Sequence, residues 1–349
     1  MLLYIHIPFC DSKCHYCAFN SYVDHFDLKE SYMKAVVEQL HFELKKFNYE
    51  PIETIFIGGG TPSTIAPELY IELFNVIKEY LENECEITVE ANPNSATLEW
   101  LDGMQKLGVN RVSFGTQSFN DEKLKLLGRS HRASDAINAI KNASKVGFEH
   151  ISLDLIYNVD GDTLELIKED LQTSFSLPID HISAYSLIIE EHTVFEKKEQ
   201  MSKESEEITE YLFRTIKEHG FEHYEISNFG KYHSKHNIGY WKYKDYMGVG
   251  AGAVGFLKDE RYYPLEDILS YIKTPLQQRI ECLSEEDILI EKIFLGLRSY
   301  VGFSKEILTS EQLDRATLLV KEKKLLFKND TFYNTNYLIS DEIALFLTD

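Results

Sequence analysis

The first two-thirds of the chain alternates short runs rich in β-branched and aromatic residues with longer segments in which apolar residues recur every three or four positions. The short runs predict six strands: Leu2–Ile7, Glu53–Ile57, Glu86–Ala91, Arg111–Gly115, His150–Leu155 and His181–Leu187. The longer segments predict five amphipathic helices: Lys29–Phe47, Pro67–Tyr80, Thr97–Leu107, Ala133–Val146 and Leu164–Phe175. Repeated βα units with short connections favour an α/β fold with a mostly parallel sheet, either open or curled into a barrel.

This regular alternation ends near residue 200. Lys203–His219 predicts one more helix, and an aromatic stretch containing several histidines follows from 224 to 246. Further on, the pattern predicts two helices and a hairpin that turns at Asn329-Asp330: Glu285–Leu297, Ser310–Lys323, and the paired runs Leu325–Phe327 and Phe332–Asn334. We therefore expect a parallel α/β domain over residues 1–220, an extension of it over 221–283, and a small helical or winged domain over 284–349.

The composition limits the kinds of partner that the protein is expected to bind. The net charge of −21 and pI near 5.0 would repel a phosphate backbone, so we expect no nucleic-acid partner. The chain contains no run of about eighteen apolar residues, which predicts no membrane span but leaves peripheral contact open. The N-terminus has the pattern of a first strand and not that of a signal peptide, so we expect a cytoplasmic location.

Three of the five cysteines lie within eight residues, at Cys10, Cys14 and Cys17, in a C-x3-C-x2-C loop after the first predicted strand. An odd number of cysteines in this arrangement is not typical of a disulfide framework. Three thiolates from one loop can bind three irons of a [4Fe–4S] cubane and leave the fourth without a protein ligand. Such an open iron suits the amino and carboxylate groups of S-adenosylmethionine.

Two other interpretations of the cysteine triplet stay open at this point. One is a structural zinc site with His15 or His6 as the fourth ligand, although no second cysteine pair is present. The other is an accidental spacing. The isolated Cys85 and Cys282 are predicted to be structural thiols.

Polar and glycine-rich residues follow the other predicted strands. They include Gly58-Gly-Gly-Thr-Pro62 after strand two, Glu90-Ala-Asn-Pro93 at the end of strand three, Gly115-Thr-Gln-Ser-Phe119 at strand four, and Asp154 in strand five. Taken alone, each has a plain structural explanation, such as a tight turn or a helix cap. Because the carboxyl ends of parallel strands share one edge of the sheet, together they predict a single site there.

Several of these motifs resemble radical-SAM proteins of the oxygen-independent coproporphyrinogen oxidase superfamily. The similar segments are Tyr4-Ile-His-Ile-Pro-Phe-Cys10 with Cys14 and Cys17, Gly58 to Ser63, Val89 to Pro93, Arg111 to Phe119, Leu127 to His131, and Asp154 to Tyr157. The resemblance implies that residues 1–220 form a six-strand partial (βα) barrel. It also implies that S-adenosylmethionine contacts Tyr4, Tyr16, Gly59, Gly60, Thr61, Glu90, Gln117, Arg129, Asp154 and Ile188.

Two features resemble the heme chaperones of the HemW type more than the oxidases. Phe19 stands where the oxidases have a further cysteine, and only nine residues precede Cys10. His236-Asn-Ile-Gly-Tyr240-Trp241 also resembles the HNxxYW signature of those chaperones. The resemblance implies heme as a ligand, with His236 as a candidate iron ligand and Tyr240 and Trp241 as flat faces for the macrocycle. The alternative is a loop whose aromatic residues simply pack on the barrel.

The chain departs from the pattern of its relatives at two places. Asn158-Val-Asp160-Gly161 replaces a Gly-Leu-Pro-Gly segment, and Val254 stands where relatives often have histidine. Neither change touches the cysteine motif.

The leading hypothesis is a heme-binding chaperone that passes heme to a recipient hemoprotein, with no coproporphyrinogen III oxidase activity. The first alternative is that oxidase, a radical-SAM enzyme that decarboxylates coproporphyrinogen III. A second alternative is a radical enzyme that modifies another molecule, among which RNA is disfavoured by the acidity.

Overall fold

The computed structural model describes residues 1–348, and its central feature is a parallel sheet. All six predicted strands are confirmed: β1 (Leu2–Ile7), β2 (Ile52–Gly59), β3 (Leu81–Ala91), β4 (Arg111–Gln117), β5 (His150–Tyr157) and β6 (His181–Ser186). They pair in sequence order, each parallel to the next. Because successive strands are joined by helices, every carboxyl end reaches the same edge of the sheet.

The crossover helices are α1 (Lys29–Lys46), α2 (Ile71–Ile77), α3 (Leu98–Lys106), α4 (Asp121–Leu126), α5 (Ala133–Val146) and α6 (Leu164–Phe175). The prediction of one helix over Pro67–Tyr80 was wrong in extent. A 3-10 turn covers Pro67–Tyr70 and α2 ends at Ile77, since the Tyr80 carbonyl must already accept a hydrogen bond from Ile52 N beside the sheet. The sequence did not reveal α4, because six residues are too few to show helical periodicity.

Side chains alternate along the strands between two environments. The outward side chains of β3 join the hydrophobic core with the helices, and the inward ones are polar: Ile87, Val89 and Ala91 face out, while Glu86, Thr88 and Glu90 face in. The inner surface of the curled sheet is therefore polar, and the main core lies between sheet and helices.

The segment after β6 extends the sheet on both sides. It contains α7 (Glu206–Glu218), β7 (Glu222–His223), β8 (Asn228–Gly230), α8 (Lys235–Trp241), β9 (Tyr246–Val249), β10 (Gly255–Leu257), β11 (Glu260–Pro264), α9 (Ile268–Lys273) and β12 (Gln278–Cys282). In the described residues the strand order is β12-β11-β10-β9-β1-β2-β3-β4-β5-β6-β8-β7, so the sheet has two edges. The expected partial barrel is confirmed.

Residues after 283 form a second structure with its own core. The elements are α10 (Glu285–Leu297), β13 (Phe303–Ser304), α11 (Ser310–Lys321), β14 (Leu325–Lys328), β15 (Thr331–Asn334) and α12 (Ser340–Thr348). The hairpin β14–β15 turns where predicted, with Asn329 and Asp330 at positive φ of 51° and 61°. Leu297, Phe332 and Leu347 belong to a hydrophobic cluster separate from that of the barrel. The exact domain boundaries stay a prediction.

Among the helices of residues 1–348, none combines the length and hydropathy of a membrane-crossing segment.

Candidate cofactor site

The three cysteines lie in the loop that leaves the carboxyl end of β1 and line a cavity of about 400 Å³. The loop is fastened to its surroundings by backbone hydrogen bonds, among them Cys10 N to Tyr22 O at 3.0 Å and His15 N to Leu127 O at 3.0 Å. The Lys13 ammonium donates to Phe19 O at 2.6 Å, which closes the loop on itself. The cysteine positions are therefore set by the fold around them.

Two glycines at the end of β2 allow the chain to approach this loop closely. Gly59 has φ of 111°, and a Cβ there would lie 2.4 Å from the His6 ring. A Cβ on Gly60 would lie 2.8 Å from Phe9 O and 3.1 Å from Cys10 Sγ. Any side chain at either position would therefore disturb the first strand or the cysteine loop.

Two half-buried carboxyls, Glu90 from β3 and Asp154 from β5, face the cavity. Burial, followed by the charge of Asp154, raises the pKa of Glu90 to about 7. Burial raises the pKa of Asp154 to about 6, against the opposing effect of hydrogen bonds from Ser183 and Ser113 and of the Arg111 charge. Near neutral pH this pair can hold a proton or accept hydrogen bonds from a cationic or hydroxyl-bearing ligand.

Arg129 connects three parts of the site. One guanidinium nitrogen donates to Asn92 Oδ1 at 2.5 Å and to Gly115 O at 2.7 Å. Another donates to Cys14 Sγ at 3.3 Å. The guanidinium therefore links the cysteine loop to the ends of β3 and β4, and a ligand carboxylate would share or displace these contacts.

The structure brings most of the predicted S-adenosylmethionine residues into this one cavity. Those that line it are Tyr16, Gly59, Gly60, Thr61, Glu90, Gln117, Arg129, Asp154 and Ile188. Tyr4 does not line it. Its hydroxyl hydrogen-bonds His6 Nδ1 at 2.9 Å, and His6 Nε2 contacts Asn20 O at 2.9 Å. Tyr4 thus lies below the cavity and supports the loop.

Sequence reasoning missed other residues at the site. Lys13, Asn92, Ser113 and Tyr185 also line the cavity. Ser113 follows from the strand alternation, since inward positions of β4 are every second residue from Arg111. The contact of Asn92 with Arg129 joins residues 37 positions apart, and no local pattern indicates it.

The thiols of Cys10, Cys14 and Cys17 have the chemistry needed to hold a [4Fe–4S] cubane with one open iron. Each thiolate of a cubane binds a different iron, so three thiols spaced along one loop suffice. Burial raises the pKa of the Cys10 and Cys17 thiols, so metal binding would have to displace their protons. The Oε1 atom of Gln117, a cavity-lining residue, is buried with no hydrogen-bond partner among the described residues, which fits an ammonium or hydroxyl donor from a ligand.

The zinc alternative fits less well. Both ring nitrogens of His6 are occupied by Asn20 O and the Tyr4 hydroxyl, and His15 Nδ1 contacts Leu126 O at 2.9 Å while its ring packs edge-on against Phe195. Of the two isolated cysteines, Cys85 is buried as expected, but Cys282 is exposed at the end of edge strand β12. Its predicted packing role is therefore wrong.

The HNxxYW segment lies at the opposite end of the barrel. It forms α8, and the Glu86 carboxylate at the amino half of β3 accepts from the backbone N–H groups of Lys235 and His236, both at 2.9 Å. His236 Nδ1 lies 2.7 Å from Thr54 Oγ1, and its Nε2 lies 3.1 Å from the Tyr240 hydroxyl. Burial lowers the pKa of His236 to about 3. His236 therefore fills this end of the barrel, and its two ring nitrogens are hydrogen-bonded to Thr54 and Tyr240.

Comparisons with known proteins agree with this geometry. A family model of the Radical SAM superfamily matches residues 4–174. The chain is 38% identical over 313 residues to heme chaperone HemW of Lactococcus lactis, covering 86% of this chain and 82% of that protein. It is 37% identical over 321 residues to heme chaperone HemW of Bacillus subtilis, covering 87% and 84%. Coproporphyrinogen III oxidase (HemN) of Escherichia coli, a radical SAM enzyme, superposes with a TM-score of 0.83 over 99% of this chain and 90% of that chain; at 18% identity this likeness shows the fold alone.

A partial barrel with three cysteines at its carboxyl edge defines a radical SAM protein. The identities of 38% and 37% over most of both chains carry the assignment one level further, and the chain belongs to the HemW family.

Proposed function

We propose that this protein is a cytoplasmic heme-binding chaperone on a radical SAM scaffold, and that it delivers heme to a recipient hemoprotein. The observation that carries the proposal is its likeness to proteins named heme chaperone HemW, at 38% identity over 86% of the chain for the Lactococcus lactis relative. The likeness extends beyond the matched superfamily region, residues 4–174, and so includes the parts that distinguish branches of the superfamily.

In this proposal Cys10, Cys14 and Cys17 hold a [4Fe–4S] cluster and S-adenosylmethionine occupies the adjoining cavity. When both are bound, the cluster would supply one electron to reduce the sulfonium of S-adenosylmethionine. The protein's own residues orient and enclose these groups. Arg129 fixes Cys14 through its N–H, Glu90 and Asp154 offer half-buried acceptors, and Gln117 Oε1 offers an acceptor with no protein partner among the described residues.

The alternative is the coproporphyrinogen III oxidase reaction, which the shared fold with HemN allows. Against it stands Phe19, which occupies the position of the oxidases' further cysteine and is 67% exposed at the mouth of the cavity. A phenyl ring there supplies no thiolate and presents an apolar surface.

The test uses full-length protein purified without oxygen and reconstituted with iron and sulfide. We expect stoichiometric heme binding by absorbance titration, and no conversion of coproporphyrinogen III when a reductant and S-adenosylmethionine are supplied. Efficient decarboxylation would overturn the chaperone assignment. A protein that does not bind heme would also overturn the chaperone assignment.

The predicted heme contact through the HNxxYW segment has a separate test. Heme iron would reach His236 only if the ring gave up its contacts with Thr54 and Tyr240. A His236→Ala variant that folds and binds heme with an unchanged spectrum would remove His236 as a ligand.

A further inference from the structure

A groove of about 960 Å³ lies between the barrel and the C-terminal domain and shares no lining residue with the cysteine cavity. One wall comes from the end of α7 and the edge strand β7, and the other from the loop after β15. The two domains meet beside it through backbone hydrogen bonds, Ile226 N to Arg298 O at 2.8 Å and Tyr300 N to Tyr224 O at 2.9 Å. Its volume is within the range of clefts that bind cofactor-sized ligands.

Aromatic and apolar side chains form part of the lining of this groove. Phe213 and Phe221 come from the barrel side, and Tyr337 and Leu338 from the C-terminal side. Leu338 is 52% exposed, which leaves an apolar surface open at the rim. Such a lining suits a flat, hydrophobic ring system.

A single histidine, His223, lies within this lining. Its ring stacks on Phe229 with centroids 4.2 Å apart and meets Tyr337 edge-on at 5.0 Å. Burial lowers its pKa to about 4, so the ring is neutral at physiological pH, which is the form that binds iron. Its Nε2 contacts Ile226 O at 3.3 Å, and iron binding through Nε2 requires the ring to give up this contact.

Two cations lie on the groove face of α7. Arg214 and Lys217 are one turn apart, and both line the groove. Arg214 reaches Glu218 only at 4.0 Å with both side chains mostly exposed, so its guanidinium is available to another carboxylate. The acids Glu210 and Glu222 also line the groove, and Glu222 lies 3.2 Å from the His233 ring.

We propose that this groove is the heme-docking site, with His223 as an iron ligand and Arg214 and Lys217 facing the propionates. The inference rests on the proposed heme binding and places it at a position other than the HNxxYW segment. An apolar macrocycle with two carboxylates at one end matches an aromatic cleft with cations along one side. His236, by contrast, is enclosed in the barrel with both nitrogens engaged.

The test titrates heme into the full chain, reconstituted with iron and sulfide, and follows the Soret band. His223→Phe keeps a ring that can stack on Phe229 but removes the nitrogens. We expect it to shift the Soret band and weaken heme binding by about tenfold or more. The matched control is His219→Phe, since His219 stacks on Phe175 outside the groove lining.

A second variant does not depend on the packed ring. Arg214→Glu with Lys217→Glu changes two exposed residues, so we expect normal folding, a weakened affinity and an unshifted Soret band. Lys141→Glu with Lys145→Glu makes the same charge change on α5 and should bind heme like the wild type.

The outcomes separate the two proposals. A wild-type chain that binds no heme overturns the chaperone function and this site with it. A wild-type chain that binds heme, with unchanged affinity and spectrum in both groove variants, overturns the groove alone. Loss of binding in His236→Ala but not in the groove variants moves heme to the end of the barrel.

Discussion

The Arg129 guanidinium, which the resemblance predicts to contact S-adenosylmethionine, already donates hydrogen bonds to protein groups in the structure. Guanidinium offers five N–H donors. In the fold they meet Asn92, Gly115 O, Cys14 Sγ and, at 3.4 Å, His131. The sequence motif draws attention to Arg129, but its partners come from other strands. Hydrogen bonds to cysteine sulfur influence the potential of an iron–sulfur cluster, so this contact bears on the cofactor itself.

The first prediction at this scale concerns the cysteine loop. Cys14→Ser removes one of three thiolates, and we expect the reconstituted protein to lose most of its iron and its broad visible absorption. The control is Cys282→Ser, since Cys282 is exposed on β12 and away from the cavity. Iron analysis and absorbance after anaerobic reconstitution make the comparison. Full iron retention in Cys14→Ser would contradict the cluster assignment.

The second prediction concerns Glu90 and pH. Because folding raises the pKa of Glu90 from its usual 4.5 to about 7, the folded protein keeps a proton that the unfolded chain releases between these values. The free energy of unfolding contributed by this group therefore falls as pH rises through that window. Glu90→Gln removes the charge and can still accept from Gly59 N. We expect it to stabilise the cofactor-free protein above neutral pH by up to about 3 kcal/mol.

Urea unfolding at several pH values measures this effect. Near the pKa of a free glutamate the variant and the wild type should be equally stable, and the gap should open toward higher pH. Glu99→Gln, on the exposed face of α3, is the control and should show no such gap. A pH-independent difference for Glu90→Gln would show that packing and not ionisation is responsible.

At the scale of elements, the sequence predicts best those strands, helices and loops whose determining residues lie close together in the chain. The bounds of β1, α5 and α6 follow directly from periodicity, and the cysteine loop is contiguous in sequence. The alternation of inward polar residues, such as Glu86 and Glu90 in β3, was also present in the sequence. The helical form of the HNxxYW segment was not, because seven residues show little periodicity and, besides the N-cap Ser234, their first N–H groups are bound by Glu86 of the distant strand β3.

The hydrogen bonds that Glu86 accepts from the first turn of α8 lead to a prediction. Glu86 is 2% exposed and accepts from the Lys235 and His236 backbone and from the Tyr232 hydroxyl at 2.8 Å. Glu86→Ala would leave these donors without an acceptor, and we expect a loss of about 3 kcal/mol or more in the free energy of unfolding. Urea denaturation compares it with Glu82→Ala, which alters an exposed residue of the same strand. Equal stability of the two variants would refute the capping role.

At the scale of the whole molecule, the barrel core and the C-terminal core are separate hydrophobic clusters, and polar contacts join the two parts. The C-terminal core includes Leu297 and Leu347, while the barrel core ends with residues of α9. Between them, Glu291 of α10 accepts a hydrogen bond from the Tyr243 hydroxyl at 2.6 Å and pairs with Arg261. One carboxylate thus holds α10 against both the segment after α8 and strand β11.

This arrangement predicts that the two cores can be uncoupled. Glu291→Ala removes both contacts of a side chain about a quarter exposed, and we expect the C-terminal domain to lose about 1–2 kcal/mol while the barrel keeps its stability. Hydrogen–deuterium exchange should then quicken in α10 to α12 and stay unchanged in β1 to β6. Glu286→Ala, an exposed residue of the same helix, should alter neither region. Because the proposed groove needs both walls, the same variant should also weaken heme binding, whereas equal quickening throughout the chain would mean that the cores unfold as one unit.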